Sequence, residues 1–513
     1  MSSSFSSHKS HFLFTLLGLL ALAALALLIH GYHFGIEDQA IYLPAIKRIL
    51  DPALYPHDSG LFMAQAGEMF FPQMVAATTR LSHLPPAWVI LIWQQVSIFA
   101  LLAGGLRLAR LWFRSARAQW CAVTMLAAVL TLPVAATALY ISDPYLHPRT
   151  PATALLLFML AEVMERRFVR AIILLATAAL LHIQMAFYGA LLALSLLLPE
   201  GWMPHLGPPK RGTQTAVAVF IPFGALFERA TPAWREATRT RWQHYLLRWP
   251  WYAWVGIFAP LLLIAWFGRV AARATPAGTE DAGGVTGMTK IARLAPRLVS
   301  FGIFVFVVSA IITMLPALER LTPYQPMRGF HLIYIFLFLL GGGLLGEFVL
   351  RARAWRWTVL FLPLALVMFY VQRQTLPASP HIEWPGARPS DPWLEAFDWA
   401  RQNTPKDAYF ALDPMYAERP QEDFHGFRGF AERSMMADYV KDSGVALLFP
   451  AVATRWQREV QARKGWQKFT PADFKRLHRD FGVNWFVIER GHPAFSNLEC
   501  PYANELVAVC RLP

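Results

Sequence analysis

Apolar residues in this chain come in long runs, with little strict alternation. Through the first three quarters, runs of the length a helix needs to cross a bilayer recur between short polar connections. They predict spans over residues 11–29, 88–111, 120–140, 151–164, 213–227, 298–315, 330–350 and 357–371, with another ending near Arg269. The apolar block 169–198 is too long for one span and carries His182 and Gln184 at its middle. It is therefore read as two short spans meeting at a polar break, for a total of about eleven. His182 and Gln184 are read as polar glue between helices.

Beyond Gln372 the pattern changes. Residues 373–390 are a proline-rich linker, and 391–513 read as a soluble domain of about 120 residues, a common size for one core. Ser390-Asp391-Pro392 is a helix start, and Trp393, Leu394, Phe397 and Ala400 follow at helical spacing. Short buried strands are expected over 408–412, 483–488 and 506–510. A helix is expected to open at Thr470-Pro471, with Asp473 placed for capping. The expected architecture is a polytopic α-helical membrane domain over 1–372, with a first external loop at 31–87, and a small C-terminal α/β domain.

Composition agrees with this reading. Of 513 residues, 56% are hydrophobic and 16% charged, too few charges for a soluble chain of this size. The net charge of +14 raises the question of nucleic acid. However, the arginines cluster at span ends: Arg107, Arg110, Arg114 and Arg117; Arg166 and Arg167; Arg351, Arg353 and Arg356. Such clusters set topology, so no nucleic-acid partner is expected. They place the even-numbered exits, the Pro/Gly-rich stretch 201–212 and the Gly/Ala/Thr-rich linker 273–297 on the cytoplasmic side. The first run is long for a signal peptide and is read as a retained span with its polar start inside. An odd number of spans then puts the C-terminal domain outside. Cys121 lies within a span and is expected to be inert. Cys500 and Cys510 fall in the expected oxidising compartment, where a disulfide or two thiols are both open. The chain has no GxxxxGK[ST], no HExxH and no charged relay at span centres, so nothing indicates an ATP-driven pump or a proton-coupled carrier.

Candidate chemistry collects on the expected external side. Residues 31–60, GYHFGIEDQAIYLPAIKRILDPALYPHDSG, place Glu37 and Asp38 just past the first membrane exit. A carboxylate there can act as a general base or hold a metal, or be ordinary loop polarity. Tyr42, Leu43, Ile46, Ile49 and Leu50 share one helical face, with Lys47 and Arg48 opposite, an interfacial pattern ending at Asp51-Pro52. His57 and Asp58 close the stretch without an assigned role. In the loop ISDPYLHPRTP, Asp143, His147 and Arg149 are stiffened by three prolines and suit a phosphate, or a metal shared with Asp38. The segment 228–251 carries Arg235, Arg239, Arg241, His244 and Arg248 among Trp234, Trp242, Tyr245, Trp249 and Trp251. So cationic a loop on the external face runs against the positive-inside tendency. Phosphate recognition, sugar stacking and simple headgroup contact all fit it. Arg328 enters the membrane from outside and needs a partner, either a lipid-linked phosphate or the interface itself.

The order of these parts resembles the GT-C superfamily of integral-membrane glycosyltransferases, in its poorly characterised bacterial branch. The EDQAIYLPAI opening carries the resemblance, as do WARQNTPKDAYFALDP (399–414), FRGFAERS (427–434) and GVNWFVIE (482–489) in the soluble tail. The resemblance implies a sugar transferase in the bacterial inner membrane, with the C-terminal domain in the periplasm. A polyprenyl-phosphate sugar would be the donor and a lipid, glycan or protein the acceptor. It puts the first-loop acid at the active site: Asp38 as the base, with Glu37 supporting. Asp143, His147, Arg149, His244, Arg248 and Arg328 are the candidate substrate-binding groups. No cofactor is implied with certainty. A divalent metal is one option, with Asp143 standing where related enzymes use a second-loop acid. The WWDYG motif of oligosaccharyltransferases is missing, which argues against transfer to Asn sequons. Other readings of the same architecture are a translocator of lipid intermediates or solutes, and a non-catalytic assembly partner.

Overall fold

The apolar runs fold as helices in a computed structural model that describes residues 2–198, 230–275, 287–389, 391–419 and 423–512. Among the described residues, six helical stretches are long and apolar enough to cross a membrane. They are Phe12–His30, Pro86–Trp112, Trp251–Arg273, Gly287–Met314, Pro316–Leu350 and Ala354–Thr375. The block expected to split does so: Phe168–Leu181 and Ile183–Leu197 meet at His182, whose backbone is extended and whose Nδ1 accepts the Met185 N–H at 3.3 Å. The expected span 213–227 and the stretch 201–212 lie outside the described residues.

Two expectations are corrected. Residues 120–140 do not form a full span. The helix Ala116–Ala128 stops, and the chain continues as an irregular strap closed by a Pro133↔Tyr140 bridge. Pro133 lacks a donor, and Ala135 and Ala138 take positive φ. Irregular backbone at membrane depth survives only when protein covers it. Leu130, Val134 and Leu139 are buried, and His30 bonds Thr131 Oγ1 and the Ala127 carbonyl at 2.8 Å each. The second correction concerns the linker 273–297. From Gly287 onward it is helix, continuous with the following span, because KIARLA consists largely of good helix formers.

The segment 31–87, expected as a loop, is more ordered than a loop. It folds into the helices Gln39–Leu50, Ser59–Ala66 and Phe71–Ser82. Tyr42, Leu43 and Ile46 are buried as the periodicity requires. The opposite face of Gln39–Leu50 meets the soluble domain through Lys47. Lys47 Nζ donates to the Gly429 carbonyl and to Glu432, both at 2.7 Å, on the soluble domain.

The soluble domain has five strands: β1 Tyr409–Ala411, β2 Ser434–Met435, β3 Trp485–Glu489, β4 Glu499–Ala503 and β5 Val507–Arg511. Their order is β2-β1-β3-β5-β4, parallel in the first two pairings and antiparallel in the last two. Phe410, Leu412, Val487 and Val509 face the helix Pro392–Asn403, which Asp391 caps. Tyr409, Ala411, Phe486 and Ile488 face the helix Pro471–Phe481, which opens on the expected Thr470/Asp473 capping box. Cys500 and Cys510 are joined in a disulfide.

This domain is fused to the membrane part by buried polar contacts. Arg428 Nε meets Asp58 Oδ2 at 2.5 Å, and its Nη2 meets Asp442 Oδ2 at 2.9 Å; all three residues are buried. The Tyr55 hydroxyl donates to the Arg428 carbonyl, and Gly426 N–H to the Gly35 carbonyl. Gly35 has φ +79°, and a Cβ there would lie 2.4 Å from the Phe430 ring. A shared apolar core beside these contacts joins Leu61, Trp234, Ala437, Leu447 and Trp456. Arg428→Ala is expected to leave Asp58 and Asp442 buried without their cation and to cost about 3–5 kcal/mol. Thermal denaturation of the purified protein, with proteolysis of the freed domain, measures this.

Candidate functional site

Asp38 sits where a helix N-cap belongs, one residue before Gln39–Leu50, yet its carboxylate caps no backbone N–H. It turns instead to His147 (Nε2–Oδ2 3.3 Å) and Lys441 (Nζ–Oδ1 3.4 Å). Lys441 also pairs with Glu37. Glu37 holds φ at +51°, a costly conformation for a side chain with a Cβ, fixed by its N–H bond to the Phe424 carbonyl. Asp38 is deep among charged groups of several elements, but 42% of its side chain is accessible, so it opens on a recess.

The loop Ile141–Pro148 shapes one wall. His147 Nδ1 accepts the Arg149 N–H at 3.0 Å, which leaves the proton of the neutral ring on Nε2, pointed at Asp38. Burial, then the Arg149 charge, lowers the His147 pKa, so at neutral pH the ring is an uncharged donor. Burial by itself would raise the Asp38 carboxyl. The Lys441 charge, followed by the His147 hydrogen bond and the Arg149 charge, outweighs it and holds Asp38 well below the usual carboxylate range. Tyr42 packs edge-on against His147 at 5.3 Å and accepts from Gln65.

Asp143 does not reach Asp38. It is buried against Arg149 (Oδ2–Nη2 3.0 Å), and its carbonyl accepts from Gln94. A metal shared by Asp38 and Asp143 therefore does not fit. Lys441 stands where such a cation would lie, and no group of three His, Cys, Asp or Glu among the described residues is arranged to hold a metal.

The opposite wall is cationic. Arg328 Nη1 donates to Gln184 Oε1 at 2.9 Å, while its Nε is buried without a partner. Gln184 also donates to the Tyr324 carbonyl at 2.6 Å, so it is helix glue as expected and an aiming group for Arg328 besides. Arg328 lies within electrostatic range of Asp38, Arg149 and Arg241. The Arg149 Nε is likewise buried and unpartnered. His244 is buried with a free Nδ1, and burial, then Arg328 and Arg241, holds it well below its ordinary pKa. Among the described residues no carboxylate pairs with Arg328 or Arg241. The recess thus carries cationic capacity that its own acids do not neutralise.

The structure brings Asp38, Glu37, His147, Arg149, His244 and Arg328 into one neighbourhood. Arg248 is the exception: it is exposed and lies 4.6 Å over its neighbour Tyr245. Asp58 and Arg235 serve structural pairs, with Arg428 and Glu319 respectively. Lys441 was missed. It lies 403 residues from Asp38 in an unremarkable YVKDSG segment, and no local signal marks it.

A family model described as a domain of unknown function (DUF6798) matches residues 391–445, which run from the first helix of the soluble domain past Arg428 into the helix Lys441–Leu448. No curated protein matches the chain. Fold and site together define a protein with six helices long and apolar enough to cross a membrane among its described residues, whose α/β domain contributes a cation to the site around Asp38.

The stability contributed by ionised Asp38 is full above the ordinary carboxylate range and is lost as pH falls through its depressed pKa. Lys441→Met is expected to raise that pKa toward the ordinary carboxylate range, so the acid loss of stability begins at higher pH. Acid-range melting curves of both proteins check this, and coincident curves would remove Lys441 as the cause.

Proposed function

We propose that this chain is a membrane glycosyltransferase that moves a sugar from a polyprenyl-phosphate donor to an acceptor hydroxyl at the outer face of the bacterial inner membrane. The observation that carries the reading is an accessible carboxylate near Arg328, which pairs with no acid among the described residues, and near Arg149, whose Nε is buried without a partner. An acceptor oxygen attacks the anomeric carbon as its proton passes to Asp38. The bond from that carbon to the donor phosphate breaks, and the phosphate leaves with the electron pair. Arg328, Arg149 and the His244 donor neutralise it. Guanidinium forks suit this task, because each can meet two phosphate oxygens at once.

Lys441 makes the order of events matter. While paired with it, Asp38 is ionised but a weak base. The lysine stem is flexible and its charge compact, so an incoming donor phosphate can draw it away from Asp38. Donor binding then strengthens the base at the moment it is needed. Glu37 holds the lysine nearby and serves a supporting role.

The full set of about eleven spans and the GT-C arrangement belong to this proposal as well. The Cys500–Cys510 disulfide supports a periplasmic soluble domain, since such bonds persist in oxidising compartments. A reporter fused after Pro513 is expected to read external, and a cytoplasmic signal would reverse the topology.

Asp38→Asn is expected to lower transfer from a polyprenyl-phosphate sugar in vesicles by about 10²–10⁴-fold with the fold intact. Unchanged transfer would sink the base assignment. Arg328→Ala is expected to lower transfer as well, and Arg248→Ala to leave it unchanged.

A further inference from the structure

A cavity of about 620 Å³ opens in the soluble domain, away from Asp38. It lies at the carboxyl ends of β1 and β3. From β1 the chain leaves for β2 on one side, and β3 then lies on the other. Segments leaving two such parallel neighbours diverge, and the crevice between them is the usual ligand position in open α/β sheets. Here Asp413 follows β1, and Glu489 ends β3.

The crevice has fixed donors and acceptors. The Arg419 guanidinium bridges Asp413 (3.2 Å) and Glu489, and lies 4.8 Å over the Trp393 ring. Gln467 donates to Asp413 at 3.0 Å. Apolar surface sits beside them: Met415 and Leu506, in the wall, are 38% and 47% exposed. Carboxylates outnumber guanidiniums, since Glu418 and Glu505 join Asp413 and Glu489 against Arg419 and Arg490. That balance disfavours phosphate and acidic groups. Paired acceptors, a planar donor and apolar patches match a ligand that alternates hydroxyls with C–H faces.

We infer that this crevice binds a saccharide segment free of negative charge. It is separate from the recess but tied to it, because Tyr439 N–H donates to the Pro414 carbonyl at 2.9 Å, two residues before Lys441. Its role as the seat of an acceptor glycan rests on the transferase reading; the binding itself does not.

The test uses the full-length protein in detergent, titrated calorimetrically with short oligosaccharides of glucose, glucosamine and glucuronic acid. Saturable binding of the glucose or glucosamine series is expected, with glucuronate weaker by about tenfold or more. Met415→Glu and Leu506→Glu alter exposed side chains, and each is expected to weaken binding by about tenfold with the melting temperature unchanged. Asp38→Asn is expected to leave it intact. If neither series binds, if glucuronate binds as tightly, or if both wall variants bind as the parent does, the inference is overturned. A transferase reading that fails at Asp38→Asn leaves crevice binding in place, so the two outcomes are distinguishable.

Discussion

The charge of Arg428 is carried into a place without solvent, between Asp58, in the segment that follows the first long helix, and Asp442 of the soluble domain. Burying three charges is expensive, and only near-complete hydrogen bonding offsets the lost hydration. Arg428 meets this demand with both carboxylates and the Met435 carbonyl, and Asp58 also accepts the Met435 N–H. The consequence extends beyond stability. Asp442 follows Lys441 directly, so the contact that welds the domain to the membrane part also sets the lysine over Glu37 and Asp38.

The recess therefore belongs to neither part alone. The membrane part supplies Asp38, His147, Arg149 and Arg328, and the segment between its spans supplies His244 and Arg241. The soluble domain supplies Lys441, the cation paired with Asp38. Burial, and then the neighbouring arginine charges, keeps His147 and His244 neutral, while the Lys441 charge holds Asp38 ionised against its own burial. An anion entering this field meets guanidiniums already aimed and partly unpaired, so little reorganisation opposes binding.

Much of the architecture was legible because its signals are local. Long apolar runs specify helices whatever surrounds them. The polar break at His182, the caps at Asp391 and Thr470, and strands β1, β3 and β5 each follow from a few adjacent residues. Residues 120–140 misled because the strap is as apolar as a span, with Pro133 its one breaker. β2 has only two residues, and β4 alternates exposed positions, so neither shows a buried run. Lys47 read as the wet side of an interfacial helix because its partner, Glu432, lies in a different domain.

From its sequence alone, this chain is a helical membrane protein with an appended α/β domain and a marked acid past the first membrane exit. Hydrophobic length and local capping act within one helix or strand, so they can be read in order along the chain. Only the tertiary structure decided that Asp143 faces Arg149, that Arg248 stays outside, and that Lys441 pairs with Asp38. Those outcomes depend on which charges meet after the soluble domain folds back on the first loop, and charge pairing across hundreds of residues leaves no pattern in the intervening sequence.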